Sequence, residues 1–171
     1  MLKGWEHFTG GLDIQNDTTG KFSIYNTWKD YEIMYHVSTL LPYFKDDYQQ
    51  VCIQLILLIF EFANAFKLER KRHIGNDIVL IVFLDSNTPY KPTAISSNFV
   101  HITFVITVHS VTADGQIESY KLWIDSKDTV CDFSPPLPNP PIFKADIFFD
   151  FLMQKRNFLH RHTVSDCFLT K

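Results

Sequence analysis

The residues with the clearest chemical potential form the run KRHIGND in the middle of the chain. The run opens with three side chains that can carry positive charge, Lys71, Arg72 and His73. Gly75 and Asn76 follow, and the carboxamide of Asn76 offers an acceptor oxygen and two N–H donors without net charge. Such an amide could orient a water molecule with one end and bond a second polar group with the other. On local sequence alone, a turn is the simpler interpretation of Asn76, because asparagine tolerates the left-handed backbone conformation.

The neighbours of Asn76 also admit both a structural and a chemical interpretation. Cations in the last turn of a helix meet the negative end of its dipole, and a glycine just beyond the helix commonly adopts a left-handed conformation. His73 could therefore be an ordinary helix end, or it could fix the loop that bears Asn76. Lys71 and Arg72 could form a solvated basic turn, or they could meet an acidic surface or phosphate oxygens on a partner. Asp77 could restrain His73 or cap the turn, and it stays unassigned.

Other kinds of reactive site are missing from the sequence. It contains no GxxxxGK[ST] phosphate loop, no GxGxxG dinucleotide turn, no GxSxG elbow and no HExxH pair. The seven histidines are scattered, and the closest pair, His160 and His162, lacks the third ligand that would close a metal site. We therefore expect no metal site, no nucleotide held by the chain itself and no self-contained hydrolytic triad.

Composition restricts the class of protein. The 171 residues, of which 46% are hydrophobic and 20% charged, suit one globular domain. A net charge of −3 removes the positive field on which non-specific nucleic-acid binding depends. The three cysteines, Cys52, Cys131 and Cys167, are widely spaced and form no CxxC pair, which favours reduced thiols in the cytosol over a disulfide scaffold. The N-terminus has no continuous apolar core, so no secretory signal is predicted.

The elements that must position these residues follow from the hydrophobic pattern. In chain order, the pattern first predicts a hairpin of Phe22–Tyr25 and Glu32–Val37 with its turn at Asn26–Asp30, and then a long helix without Pro or Gly at Lys45–His73. It next predicts a strand buried on both faces at Asp77–Leu84 and a second hairpin of Phe99–Val108 and Ile117–Ile124. A proline-rich connector at Ser134–Pro141 and an amphipathic helix at Asp146–Lys155 complete the prediction. The apolar face of the last helix consists of Ile147, Phe148, Phe151 and Leu152. This mixture indicates an α/β or α+β class with one principal sheet.

Four segments carry a resemblance to a known family. They read GLDIQNDTTGKFSIY, YEIMYHVSTLLPY, ERKRHIGNDIV and SPPLPNPPIF, at Gly11–Tyr25, Tyr31–Tyr43, Glu69–Val79 and Ser134–Phe143. Together they resemble the Rap/Ran GTPase-activating domain, in the family's order, from Gly4 to about Lys155. The members most similar in appearance are the Rap/Ran-GAP domain-like proteins that carry a citron-homology domain further along. The resemblance implies an α/β fold, a single sheet flanked by helices, which is distantly like a GTPase domain without a nucleotide site.

The resemblance also implies a function. Such a domain stimulates GTP hydrolysis by a Ras-like small GTPase, Rap by default, through an asparagine inserted into the partner's active site. On this chain that asparagine is Asn76, with His73 beside it, and Lys71 and Arg72 are the candidate GTPase-binding residues. The chain would need no cofactor of its own, because the partner holds GTP and Mg²⁺, and it would supply a catalytic residue in trans without having its own substrate site. The resemblance further implies a cytoplasmic signal-transduction protein, and a homodimer formed through a region that precedes this stretch in the family.

Two segments depart from the family pattern. An apolar stretch at about Cys52–Leu68 is inserted ahead of Glu69, and an untranslated segment retained in a gene product is our favoured explanation. This stretch is shorter than the roughly 20 apolar residues of a membrane span, and Gln54 and Glu61 interrupt it. The residues after Lys155 do not resemble the family. We therefore predict a partial catalytic domain at 4–155, with the insert at about 52–68, and a divergent tail at 156–171.

Three alternatives remain open at this point. The chain could be a degenerate domain that binds a GTPase or another partner without accelerating hydrolysis, since the insert lies in the helix that should present Asn76. The segment Pro135–Pro141 could be a ligand for an SH3-like module, although a rigid connector packed on the domain is the simpler interpretation. Cys52–Phe66 could be a membrane-seeking helix, although a core helix or an annotation error explains it as well.

Overall fold

The computed structural model describes residues 1–42, 73–84, 88–91, 95 and 97–162, with side chains up to residue 155. The apolar stretch at 52–68, Lys71 and Arg72 lie outside these residues, as does the predicted long helix apart from its last residue, His73. The chain divides into two compact units, Met1–Asp77 with Ala94–Ser97 and Ile78–Thr93 with Asn98–Lys171. No helix in the described part of the chain combines the length and apolar character needed to cross a bilayer.

An antiparallel hairpin is the regular element of the first unit. Strand β1, Ile24–Trp28, pairs with β2, Tyr31–Tyr35, and the register runs from Ile24 opposite Tyr35 to Trp28 opposite Tyr31. The predicted hairpin is confirmed, but its turn is shorter than Asn26–Asp30. A two-residue turn suffices because Lys29 takes a positive φ of 53°, which lets Asn26 and its neighbours join the ladder.

The loops of the first unit are held by buried apolar side chains and by hydrogen bonds to the carboxylate of Asp13. The buried apolar side chains are Leu2, Leu12, Ile33, Leu41 and Ile74. Asp13 accepts hydrogen bonds from the backbone N–H groups of Gln15, Asn16 and Thr18 and from the Thr18 hydroxyl, at 2.6–3.2 Å. These bonds, led by the one from the Thr18 hydroxyl, hold the pKa of Asp13 far below its ordinary value.

A mixed four-stranded sheet is the centre of the second unit. Its strands are β3, Val79–Leu84, β4, Ile102–Val111, β5, Ile117–Ser126, and β6, Ile142–Lys144. They lie side by side in this order, with β3 parallel to β4 and the other neighbouring pairs antiparallel. The prediction that β3 is buried on both faces is wrong. In the sheet formed by the described residues β3 lies at the edge, and Phe83 is 66% exposed. The uniform apolar run alone could not distinguish an edge strand from a central one.

The helix α1, Ala145–His162, packs on this sheet and confirms the predicted amphipathic helix. Phe148 stacks on Tyr120 at 4.7 Å between ring centroids, and Phe143 meets Phe151 at 4.3 Å. Ile102, Phe104, Ile106 and Leu122 are completely buried in the sheet. Ile147 was assigned to the apolar face but is 54% exposed, because it lies on the side of α1 turned away from the buried Phe148 and Leu152.

The proline-rich connector is tied to α1 by a buried lysine. Lys155 is 4% exposed, and its Nζ donates to the carbonyl oxygens of Phe133 at 2.8 Å and Pro135 at 2.7 Å. Burial lowers the pKa of Lys155, while Asp132 acts in the opposite direction. The packed connector therefore agrees with the simpler interpretation of this segment. Nearby, Cys131 is disulfide-bonded, whereas the cysteine spacing favoured reduced thiols.

Candidate functional site

Asn76 lies on an exposed turn at the end of a helix. His73 and Ile74 are helical, Gly75 and Asn76 form the turn, and the Asn76 N–H donates to the His73 carbonyl oxygen at 3.3 Å. Neither Gly75 nor Asn76 has a positive φ, so the left-handed glycine predicted at the helix end is absent. The turn closed by the Asn76 N–H and the His73 carbonyl can take a type I form, which needs no left-handed residue.

Three contacts within the first unit hold this turn in place. The side chain of Ile74 is buried, at 8% exposure. The hydroxyl of Ser97 donates to the Gly75 carbonyl oxygen. On the other side of Asn76, the carboxylate of Asp77 accepts a hydrogen bond from His36. The backbone is therefore anchored both before and after Asn76, while the Asn76 residue itself is exposed. A side chain that must enter another molecule requires this combination of accessibility and a fixed backbone.

His36 is the central polar residue of this region. Its Nδ1 lies 2.9 Å from Asp77 Oδ2, and its Nε2 lies 2.8 Å from the Gly10 carbonyl oxygen. Both oxygens can accept, so this geometry fits an imidazolium, the form of the ring in which both nitrogens donate. The hydrogen bond to Asp77 raises the pKa of His36 above its ordinary 6.5 against the effect of burial, and the carbonyls of Gly10 and His73 act in the same direction as Asp77. The side chain of His36 is only 10% exposed.

Gly10 lets its carbonyl reach His36 because it has no side chain. Its φ is +59°, and a Cβ built on it would lie 3.1 Å from the Cβ of Met34. That distance is tighter than ordinary van der Waals contact, so a side chain at this position would push the loop away from Met34 and from His36. The loop at Gly10 and the turn at Asn76 are thus joined through one histidine ring.

Two of the four predicted site residues, His73 and Asn76, lie within the described part of the chain. Asn76 is exposed, and His73 is half-buried, with its ring in a T-shaped arrangement with the ring of His36 at 5.6 Å between centroids. Lys71 and Arg72 lie outside the described residues. The structure gives Asp77 a partner that was not considered from the sequence, the ring of His36, in addition to the suggested roles of restraining His73 or capping the turn.

Sequence reasoning missed His36 as part of the site. The available signal was a histidine at the end of the alternating pattern in YEIMYHVSTLLPY, one of the segments that carries the resemblance. Its pairing with a residue 41 positions later is a tertiary contact that no local pattern indicates. Among the described residues, no group of three or more His, Cys, Asp or Glu side chains is arranged so that it could hold a metal ion.

Comparison with known proteins assigns the class. The chain belongs to the Rap/ran-GAP family, whose model matches residues 1–167. Among solved structures, the fold matches the TSC2 GAP domain with a TM-score of 0.66 and 27% identity, over 91% of this chain and 72% of that one. The α/β fold expected from the resemblance is therefore confirmed as a GAP-domain fold.

Particular relatives are similar over most of this chain. The GTPase-activating Rap/Ran-GAP domain-like protein 3 of Gallus gallus is 44% identical over 158 residues, which is 90% of this chain and 15% of that protein. The signal-induced proliferation-associated 1-like protein 3 of Mus musculus is 39% identical over 156 residues, 90% of this chain and 8% of that protein. The chain thus spans a small part of these relatives, and the similarity to the domain-like members is confirmed.

Proposed function

We propose that this chain is a GTPase-activating domain that stimulates GTP hydrolysis by a Ras-like small GTPase, with Rap as the first candidate, and that Asn76 is the catalytic residue it supplies in trans. The observation that carries the proposal is the exposed Asn76 on a turn anchored at Ile74, Gly75 and Asp77, in a chain of the Rap/ran-GAP family. The name of one relative, the GTPase-activating Rap/Ran-GAP domain-like protein 3, supports the same class of activity.

The chemistry of the amide suits this task. Transfer of a phosphoryl group to water is accelerated mainly by positioning the water and by stabilising charge on the γ-phosphate. A carboxamide can accept a hydrogen bond from the water and donate to a phosphate oxygen or a backbone carbonyl at the same time. The amide is uncharged, so its transfer from water on the free domain to a buried position in a complex costs less free energy than the same transfer of a charged side chain. Completion of a GTPase site by an activator accelerates hydrolysis by roughly 10³–10⁵, about 4–7 kcal/mol of barrier.

The other roles in the proposal follow from this one. His73 supports the turn, since its carbonyl accepts the Asn76 N–H and its ring lies against His36. Lys71 and Arg72 meet the acidic or phosphate groups of the docked GTPase. GTP and Mg²⁺ belong to the partner, so the chain needs no cofactor of its own. The cytoplasmic location and signalling role depend on the partner class, and imaging of the tagged chain in cells tests the location.

Single-turnover hydrolysis tests the proposal. Rap loaded with GTP is mixed with saturating wild-type chain, with Asn76→Ala and with Asn98→Ala, which removes an exposed asparagine side chain from the second unit. We expect the wild type and Asn98→Ala to accelerate hydrolysis equally. Asn76→Ala should give a hydrolysis rate lower than that of the wild type by a factor of at least about 10³. Equal rates for wild type and Asn76→Ala would reject the catalytic role. Binding of the GTPase without any acceleration would instead establish the non-catalytic alternative.

A further inference from the structure

The ring of His36 joins two segments of the first unit that are far apart in sequence. One segment is the N-terminal loop, through the Gly10 carbonyl oxygen at 2.8 Å, and the other is the turn after His73, through Asp77 Oδ2 at 2.9 Å. Asp77 directly follows Asn76. The contact therefore fixes the backbone immediately after the proposed catalytic amide, whereas Ile74 and Gly75 fix it before that amide.

The hydrogen-bonded bridge that the His36 ring forms between these two segments fixes their relative orientation more strictly than an apolar contact would. Each hydrogen bond sets both a distance and an angle, and the ring is clamped at both nitrogens, so it holds one orientation. A charged side chain that is only 10% exposed loses much of its hydration, so such a bridge contributes little net stability compared with an apolar side chain of similar size. What it provides is a single arrangement of the loop and the turn.

We propose that His36 is a positioning residue for Asn76: its imidazolium clamps Asp77 to the Gly10 loop and thereby fixes the turn that carries the amide. The inference rests on the function proposed above and adds that this function requires the charged form of His36. A misplacement of about 1 Å at a reacting group can cost roughly 10²-fold in rate, so loss of the clamp is expected to reduce hydrolysis without abolishing docking.

The clamp has a defined dependence on pH. Among the described residues, the titratable side chains facing the His36 ring are Asp77 and His73, both from the segment around Asn76, and the N-terminal loop faces it with the uncharged Gly10 carbonyl. The fold raises the pKa of His36, so the clamp is complete below the ordinary pKa of 6.5 and is lost as the pH rises through the raised pKa. Above it, the neutral ring can donate to only one of its two acceptors.

His36→Gln removes the titration and replaces the two donor nitrogens of the ring by a single one, while it keeps a polar side chain. At saturating chain and a pH below 6.5, where the clamp is complete, we expect it to lower the single-turnover rate about 10- to 100-fold, with the half-saturating concentration changed less than about threefold. The wild-type rate should fall as the pH rises through the pKa of His36, whereas the His36→Gln rate should be flat with pH. The matched control is His109→Gln, which removes an exposed histidine in β4 and should leave the rate and its pH profile unchanged.

A second measurement does not depend on hydrolysis. In NMR titrations of the full chain, the backbone amide of Asn76 should shift with the same midpoint as the His36 ring, and this shift should vanish in His36→Gln. Thermal unfolding reports whether each variant is folded. If Asn76 does not follow His36, or if His36→Gln has the wild-type rate and pH profile, the inference is overturned. If Asn76 follows His36 but the wild-type chain accelerates no GTPase, the positioning stands and the proposed function fails.

Discussion

Replacement of Gly10 by alanine tests the geometry of the site without replacing any polar side chain. Gly10 has φ +59°, and the added Cβ would meet the Cβ of Met34 at 3.1 Å and the Nε2 of His36 at 3.7 Å. Its neighbour Gly11 has φ +86°, and a Cβ there would have open space around it. Gly11→Ala is therefore a matched control, since both variants put an alanine in the left-handed region but only one adds a contact.

The expected losses in stability follow from the backbone φ at each glycine and from the contact that the added Cβ makes. A left-handed alanine costs roughly 1–2 kcal/mol, and φ +86° at Gly11 lies further from the left-handed minimum than φ +59° at Gly10. If backbone strain were the sole cost, Gly11→Ala should therefore be at least as destabilising as Gly10→Ala. The contact with Met34 adds about 1–3 kcal/mol for overpacking, so Gly10→Ala should lose about 2–5 kcal/mol in total.

The assay combines thermal unfolding with single-turnover hydrolysis. At about 2–4 °C per kcal/mol for a chain of this size, Gly10→Ala should lower the Tm by several degrees more than Gly11→Ala. It should also reduce the hydrolysis rate at saturating chain, because the Gly10 carbonyl moves away from His36. If Gly11→Ala proves as destabilising as Gly10→Ala, the packing of Gly10 against Met34 and His36 is not what holds this loop, and the reasoning fails.

Two further predictions concern the second unit. Lys155→Met should destabilise this unit by about 2–3 kcal/mol, because the buried ammonium donates to the partly buried carbonyls of Phe133 and Pro135. Urea unfolding measures the loss, and Lys144→Met, which replaces an exposed lysine, should stay within about 0.5 kcal/mol of the wild type. Phe148→Ala should cost about 3–5 kcal/mol, since Phe148 is 5% exposed, whereas Phe149→Ala, at 44% exposed, should cost clearly less; equal losses would show that α1 does not pack on the sheet as described.

Several elements could be predicted because their signals are local. The hairpin β1-β2, the paired strands β4 and β5 and the helix α1 each follow from a hydrophobic period with turn residues at its ends. Alternation with period two and an apolar stripe with period 3.6 depend only on which faces of one segment are covered. The family was recognisable for a similar reason, since contiguous motifs carry it.

Predictions that depend on distant neighbours were less accurate. The apolar run of β3 was interpreted as central, although it lies at the edge of the sheet formed by the described residues. Ile147 was placed on the buried face of α1 but is exposed. Gly75 was expected to be left-handed, yet a hydrogen bond from Asn76 to His73 closes the turn without it. For β3 and Ile147 the local pattern allowed two arrangements, and contacts from elsewhere in the chain selected one, whereas at Gly75 the choice was made within the turn itself.

The candidate site divides in the same way. The sequence by itself determined the family, the class of fold and the residue types around Asn76, because these depend on contiguous motifs and on short-range periodicity. Only the tertiary structure decided that Asn76 is exposed on an anchored turn and that His36 clamps Asp77 to Gly10. Those contacts join residues 26 and 41 positions apart, and their geometry exists only once the loops have closed.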